Sequence, residues 1–301
     1  MGCVDGKSIF ITVKTNRSVQ AALWHGRGEQ RLSTPIQKLA SLNDVRPFAI
    51  RLAFHGRLGF FVQRGIDPAA VERHLKEAAS VKDVIEACGV PHPEVDLILV
   101  EGEPVDFSYR LKGNAAVEVY GVGSTITFFP ENRLQTQNIQ RFIADGHLGK
   151  LVRDLRLLGI DVVYNPAAED RQLVALAKTD NRALLTRDRR LLMHASVRHG
   201  RYLRSQDPLK QTIEVLCRFD LSSAFAPFSR CLHCNALLEQ VEKSEVIEQL
   251  EPLTKIYYEQ FRRCTGCGQI YWPGSHFDKL LARIEGIRAT LKAKHRSEDQ
   301  T

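Results

Sequence analysis

Two Cys-x-x-Cys pairs, Cys231/Cys234 and Cys264/Cys267, lie 29 residues apart in the last quarter of a 301-residue chain. Four thiolates at this spacing match a closed tetrahedral zinc site, structural rather than catalytic because no coordination position stays open. The chain has 7 cysteines, an odd number that argues against a complete disulfide set. In a reducing compartment such pairs read as metal before disulfide. His233 and His276 are spare ligand types, while Cys88 and Cys217 fall on apolar helical faces and are expected to pack. A bound ion would stabilise a segment too small for much core of its own.

A second constellation is acidic. Asp145 follows the apolar run Phe142-Ile143-Ala144, Asp188 follows Leu184-Leu185-Thr186-Arg187, and Asp170 opens a helical pattern. Carboxylates gathered at one sheet edge repel one another unless a hard cation neutralises them. Mg²⁺ or Mn²⁺ takes oxygen ligands and keeps waters, leaving room for a phosphate oxygen and for in-line attack on a phosphodiester. Taken singly, Asp145 and Asp188 read equally well as helix N-caps, and Asp170 as a first-turn acid favoured by the helix dipole. Lys150, Arg153 and Arg156 step by three along the helix after Asp145, and Arg187, Arg189 and Arg190 flank Asp188. Such cations suit a phosphate backbone crossing the acids, although Arg156 and Arg190 fit a solvated face better. His147 is expected at the surface, and Asp154, Asp161 and Asp180 as solvated acids. No GxGxxG or GxxxxGK[ST] occurs, so dinucleotide and P-loop chemistry lack support.

The elements that must position these groups change rhythm along the chain. Residues 1–45, with one candidate strand at Ser8–Lys14, keep no period for long and read as a poorly ordered extension. From Arg46 to Ser124, strands are expected at Pro47–Leu52, Phe60–Val62, Asp96–Val100 and Val117–Tyr120, with turns at Gly56–Gly59 and Glu101–Pro104. A helix starting behind Ser80 and ending at Gly89 makes this a small α+β unit. Residues 125–140 read as a linker. Over 141–228, strands (Arg141–Ala144, Asp161–Tyr164, Ala183–Thr186, Tyr202–Leu203) alternate with helices (His147–Leu158, Asp170–Thr179, Arg189–His199, one from Asp207-Pro208). That alternation means a parallel α/β sheet, whose ligand sites lie at the carboxyl ends of its strands. Residues 229–301 hold the cysteines and a helical tail from about Phe277 to His295.

Composition sets the frame: 44% hydrophobic residues exclude a disordered chain. No apolar stretch is long enough for a membrane helix. The start MGCVDG lacks the order of a secretion signal, and Gly6 stands where a myristoylation motif wants Ser or Thr. A cytoplasmic location is expected. The net charge is +7, and its largest share, +5, falls on 141–228, where 15 basic side chains meet 10 acidic ones. A basic domain suits a polyanionic partner such as nucleic acid, and fits an ordinary solubilising surface equally well.

Four segments together resemble the Mut-seven C-terminal RNase family: DGHLGKLVRDLRLLGIDVVY from Asp145, LLTRDRRLL from Leu184, PFSRCLHCN from Pro227 and CTGCGQIYWPGSH from Cys264. The segment from Ser80 to Leu111 resembles the ubiquitin-like domain that often precedes it. The resemblance implies a ubiquitin-like β-grasp domain (46–124), a PIN-like RNase domain (141–228) and a zinc ribbon with a C-terminal helix (229–301). It further implies a metal-dependent ribonuclease with Asp145, Asp170 and Asp188 as catalytic Mg²⁺ or Mn²⁺ ligands, and Cys231, Cys234, Cys264 and Cys267 as zinc ligands. Lys150, Arg153, Arg187 and Arg189 are the expected RNA contacts, and a protein partner would use the β-grasp domain. Asp154 stands where the family more often has an aromatic, and Gln172 where an acid is common; the latter would weaken metal binding if that acid were a ligand. Gly121-Val122-Gly123 is internal, so conjugation through a Gly-Gly tail is not expected. The competing reading is a non-catalytic RNA-binding or adaptor protein on the same fold.

Overall fold

The computed structural model describes residues 47–124, 128–136 and 138–298; the extension 1–45 and its expected strand lie outside them. The α+β unit comprises β1 (Phe48–His55), β2 (Val71–Leu75), β3 (Ala79–Ser80), α1 (Val81–Ala87), β4 (Val95–Val100), β5 (Glu103–Val105), β6 (Arg110–Leu111) and β7 (Ala115–Gly121). Its main sheet has the order β2-β1-β7-β4-β5, with β1 and β7 parallel at the centre. Ile50, Leu52, Phe54, Val117 and Val119 alternate onto the buried face, where Val81, Val84 and Ile85 of α1 meet them. Ser80 caps that helix by accepting the Asp83 amide at 3.1 Å. Strand β2 escapes sequence reading because only Val71 of its five residues is buried, which leaves no apolar alternation. The expected strand at Phe60–Val62 is instead the end of a 3₁₀ turn, Gly56–Phe60, and its exit.

The stretch read as a linker is tied down where it is described. Leu134 donates its amide to the Asp96 carbonyl at 2.7 Å, Arg133 pairs with the Asp96 carboxylate at 3.1 Å, and Gln135 Nε2 reaches the Val95 carbonyl at 3.0 Å. These contacts cover β4, all six residues of which are buried.

The second sheet is wholly parallel, in the order β11-β10-β8-β9. Its elements are β8 (Arg141–Ala144), α2 (Gly149–Leu157), β9 (Asp161–Tyr164), α3 (Asp170–Thr179), β10 (Ala183–Thr186), α4 (Arg189–Leu192), β11 (Gly200–Tyr202) and α5 (Pro208–Arg218). Phe142, Ala144, Ala183 and Leu185 face α2 and α5, while Ile143 and Leu184 face α3 and α4, the period of two that a doubly covered sheet requires. Gly159 closes α2 at φ 88°, and a side chain there would strike the Ala226 carbonyl. The helix expected over Arg189–His199 is only four residues long. After Leu192 the chain turns, with His194 Nδ1 accepting the Ser196 amide at 3.2 Å so that Val197 can enter the core. Likewise, α2 starts at Gly149 behind a 3₁₀ turn at Gly146–Leu148 rather than at His147.

The C-terminal part holds β12 (Leu238–Val241), α6 (Lys243–Val246), α7 (Pro252–Tyr257), β13 (Phe261–Cys264), β14 (Ile270–Tyr271) and α8 (Phe277–Glu298). Strands β12-β13-β14 form an antiparallel sheet with its own small core of Val241, Val246, Leu250, Phe261 and Ile270. The tail helix does not pack with it: Ile284, Ile287 and Leu291 of α8 are buried in the α/β core. Arg283 clamps that return through the Asp154 carboxylate, which Thr212 also contacts at 3.2 Å. Asp154 is therefore a buried structural anchor, not a solvated acid. No described helix is long and apolar enough to cross a membrane.

Candidate active site and cysteine cluster

Strand β8 lies between β9 and β10, so Asp145 and Asp188 leave the carboxyl ends of neighbouring parallel strands. Thr186, the last residue of β10, ties them together. Its hydroxyl donates to Asp145 Oδ2 at 2.8 Å and accepts the Asp188 amide at 2.9 Å. Asp188 Oδ1 caps α4, accepting the Arg190 and Leu191 amides at 2.7 and 3.3 Å. The Asp145 side chain makes no such cap, and among the described residues no hydrogen bond reaches its Oδ1 or Asp188 Oδ2. Each carboxylate thus offers one uncommitted hard oxygen at the edge.

Asp170 stands apart from that pairing. It is the exposed first residue of α3, whose N-cap is Glu169; Gln172 accepts the Glu169 amide at 3.0 Å in a reciprocal capping box. Asp170 lines a cleft shared with Arg171, Lys178, Arg190 and His194. Among the described residues, the three carboxylates do not form a ligand set converging within 4.8 Å, as the four thiols do.

The expected cations divide. Lys150 and Arg187 line a cleft of about 600 Å³ beside Asp145, together with His147, Tyr164, Gln206 and Gln211. Arg153 is exposed on α2, without an ionic partner among the described residues. Arg189 is committed elsewhere: its guanidinium lies over Phe60, Phe61 and Tyr202, and Nη1 donates to the Phe61 carbonyl at 3.0 Å. It joins the two sheets instead of facing substrate. Arg204 flanks the same Phe60 ring and donates to the Arg57 carbonyl at 2.9 Å. Deeper in this seam, buried Arg201 bridges Glu94 at 2.6 Å and Glu214 at 2.8 Å, and Glu94 also accepts the Tyr202 amide at 2.7 Å.

The cysteine cluster is preformed. Sγ of Cys231 and Cys267 lie 3.7 Å apart, those of Cys234 and Cys264 3.2 Å, and all four fall within 4.8 Å. Tetrahedral zinc–thiolate bonding implies sulfur separations of about 3.8 Å, so this donor set fits zinc. Cys231 Sγ accepts the Cys234 amide, and Cys264 Sγ the Gly266 and Cys267 amides, each at 3.4 Å. Tyr271 Oη reaches Cys231 Sγ at 3.1 Å, and burial together with that sulfur raises the phenol pKa. A side chain at Gly266 would meet Ala236 Cβ at 2.8 Å; only glycine lets the knuckles approach.

Arg156 and Asp161, both read from sequence as surface charges, bind this cluster to the α/β unit. Arg156 is buried, donating to the Val162 carbonyl at 2.8 Å and, within the first knuckle, to the His233 carbonyl at 2.7 Å. Asp161 accepts from Arg182 at 2.6 Å and Asn235 at 2.8 Å. Burial raises its pKa, but these donors outweigh it and the result is lowered. Tyr271 follows the second knuckle in sequence, where an aromatic is expected either to stack on bases or to pack against the cysteines, and its hydroxyl lies on Cys231. Thr186 and Asn235 are neighbours that motif spacing does not single out; of the two, only Thr186 carries a signal in sequence, as a hydroxyl at a strand end two residues before an acid.

Residues 140–284 match the family model described as the Mut7-C RNAse domain, and residues 48–127 match Mut7-C ubiquitin. The chain thus carries a Mut7-C RNAse domain preceded by a Mut7-C ubiquitin domain. Neither the curated proteins nor the solved structures compared with it gave a match. The Mut7-C assignment makes the parallel sheet a nuclease-like domain preceded by a ubiquitin-like one. Both departures from the family pattern have local causes here: Asp154 anchors α8 of this Mut7-C protein, and Gln172 completes a helix cap.

Proposed function

We propose that this protein is a ribonuclease that hydrolyses RNA phosphodiesters at a Mg²⁺ or Mn²⁺ site on the Asp145–Asp188 edge of a PIN-like sheet. The observation that carries this reading is the single Thr186 hydroxyl bonded to both residues, beside a cleft bearing Lys150 and Arg187. One free oxygen on each carboxylate fits a hard cation, which when bound supplies Lewis-acid activation of water and charge neutralisation at phosphorus. Thr186 and the two amides that hold Asp188 Oδ1 fix the carboxylates, so they need not reorganise when substrate arrives. Lys150 and Arg187 bind and orient the phosphate in the cleft; water oxygen bonds to phosphorus as the bond to the leaving ribose oxygen breaks. Asp170, outside this pairing, is the third acid of the proposed site and would add its negative charge to the field that holds the cation. Zinc in the cysteine cluster stabilises the ribbon and takes no part in the reaction.

The test is cleavage of single-stranded RNA with Mn²⁺ by the full chain, by Asp145→Asn and by Asp188→Asn. Loss of activity in both variants supports the assignment; equal activity in all three overturns it. RNA binding without cleavage under any divalent metal would select the adaptor reading, which the lack of a convergent carboxylate triad favours.

A further inference from the structure

A second groove, of about 390 Å³, lies between α3 and α4. Arg171, Lys178 and Arg190 line it with His194, above a floor that includes buried Val174 and Leu191. The three long cations are exposed, and among the described residues none has a hydrogen bond or ion pair through its charged group. Elsewhere in the same domain, Arg182, Arg201 and Arg283 all sit on carboxylates. Arg171 and Lys178 are seven residues apart on α3, which places them two turns along one face. Three like charges around one groove repel one another, and the one carboxylate present, Asp170, does not pair with any of them. The groove is thus set up for an anion that the protein itself does not provide.

Chain order relates this groove to the candidate active site. Arg187 and Arg190 stand on either side of Asp188 and line different clefts. Arg190 is three residues from Arg187, a reach of no more than about 11 Å of chain, so a strand longer than the first cleft can extend from Arg187 to the groove at Arg190.

We propose that the α3–α4 groove is a second phosphate-binding subsite, in which Arg171, Lys178 and Arg190 hold the RNA backbone beyond the bond that is cut. The proposal rests on the ribonuclease reading for its relation to the bond that is cut, but not for the groove's affinity for a polyanion. Its test is binding of labelled oligouridylates, one long enough to span both clefts and one dinucleotide, to the full chain without added Mg²⁺ or Mn²⁺. The triple variant Arg171→Gln/Lys178→Gln/Arg190→Gln is expected to bind the long strand at least about ten-fold more weakly. Its slope of log affinity against log salt should shrink by about 0.7 for each phosphate that the groove no longer neutralises. Dinucleotide binding should be unchanged. Lys178→Glu, a single exposed change, should reproduce the direction if the triple variant folds poorly. Unchanged long-strand affinity and salt slope in both variants would overturn the subsite. Failure of the ribonuclease reading would appear separately, as a parent chain that binds RNA in this manner and never cleaves it.

Discussion

Arg189 directly follows Asp188 and donates Nη1 to the Phe61 carbonyl of the ubiquitin-like domain at 3.0 Å. The residue after a candidate catalytic carboxylate is thus held by the other domain. The same seam carries Glu94, whose carboxylate accepts the Tyr202 amide at 2.7 Å. The next residue, Leu203, donates to the Thr186 carbonyl at 2.9 Å. Both routes end on the strand edge that carries Thr186.

The ubiquitin-like domain should therefore support the edge as well as the fold. Arg189→Ala is expected to cost about 1–2 kcal/mol, because it removes cation–π stacking and a charged hydrogen bond, measured by urea unfolding. Glu94→Gln should cost about 3 kcal/mol, because Arg201 is left buried with one carboxylate. In both variants the amides of Thr186 to Asp188 should exchange faster with solvent. Unchanged exchange there would separate the two domains functionally.

The carboxylates should rank by their surroundings. Asp188→Asn keeps the cap acceptor and should lose activity with little change in stability. Asp188→Ala should lose activity and about 1 kcal/mol as well. Asp170→Asn should reduce activity less than Asp145→Asn. Rates and melting curves for the four variants check this order, and an Asp170→Asn variant as inactive as Asp145→Asn would restore it to the metal centre.

Elemental analysis should find one zinc per chain, in keeping with the single four-thiol cluster found among the described residues. Chelation or Cys264→Ser should unfold the strands around the knuckles. Helix α8 should stay protected in hydrogen exchange because Ile284, Ile287 and Leu291 pack in the α/β core. Simultaneous loss of α8 would contradict that packing.

Asp154→Asn should loosen α8 selectively. Arg283 is partly exposed, so the cost is expected to be about 1–3 kcal/mol, between the limits for surface and buried pairs. Proteolysis of the C-terminal helix provides the readout.

His199 gives a pH signature. Burial, then the charges of Arg198 and Arg218, lower its pKa from 6.5. Between that value and the lower folded one, the unfolded chain binds more protons, so stability rises with pH. Stability should fall as pH drops below about 6.5, and His199→Gln should flatten that decline in denaturant titrations.

Several features are legible because they depend on neighbours in sequence. The helices at Asp170–Thr179 and from Pro208, strands β8, β9 and β10 of the parallel sheet and the zinc ligand spacing all follow from local periodicity or capping, whereas β11 lies at Gly200–Tyr202, not at Tyr202–Leu203. Strand β2 is not legible, since an edge strand with one buried residue carries no pattern. Charged residues are the hardest to place. Arg156, Asp154 and Arg189 all look solvent-facing along their own helices.

Sequence by itself determined which faces are apolar, where the helices capped by Ser80, Glu169 and Asp207 begin, and that four cysteines could meet. Tertiary structure alone decided which charges are engaged inside the fold. Arg156 finds the His233 carbonyl 77 residues away, Arg189 the Phe61 carbonyl 128 away, and Arg283 the Asp154 carboxylate 129 away. A cation buried without a partner is costly, so its place depends on groups that only folding brings near. The same separation decides the site: Thr186 and Asp145 are 41 residues apart in the chain and meet because their strands are neighbours.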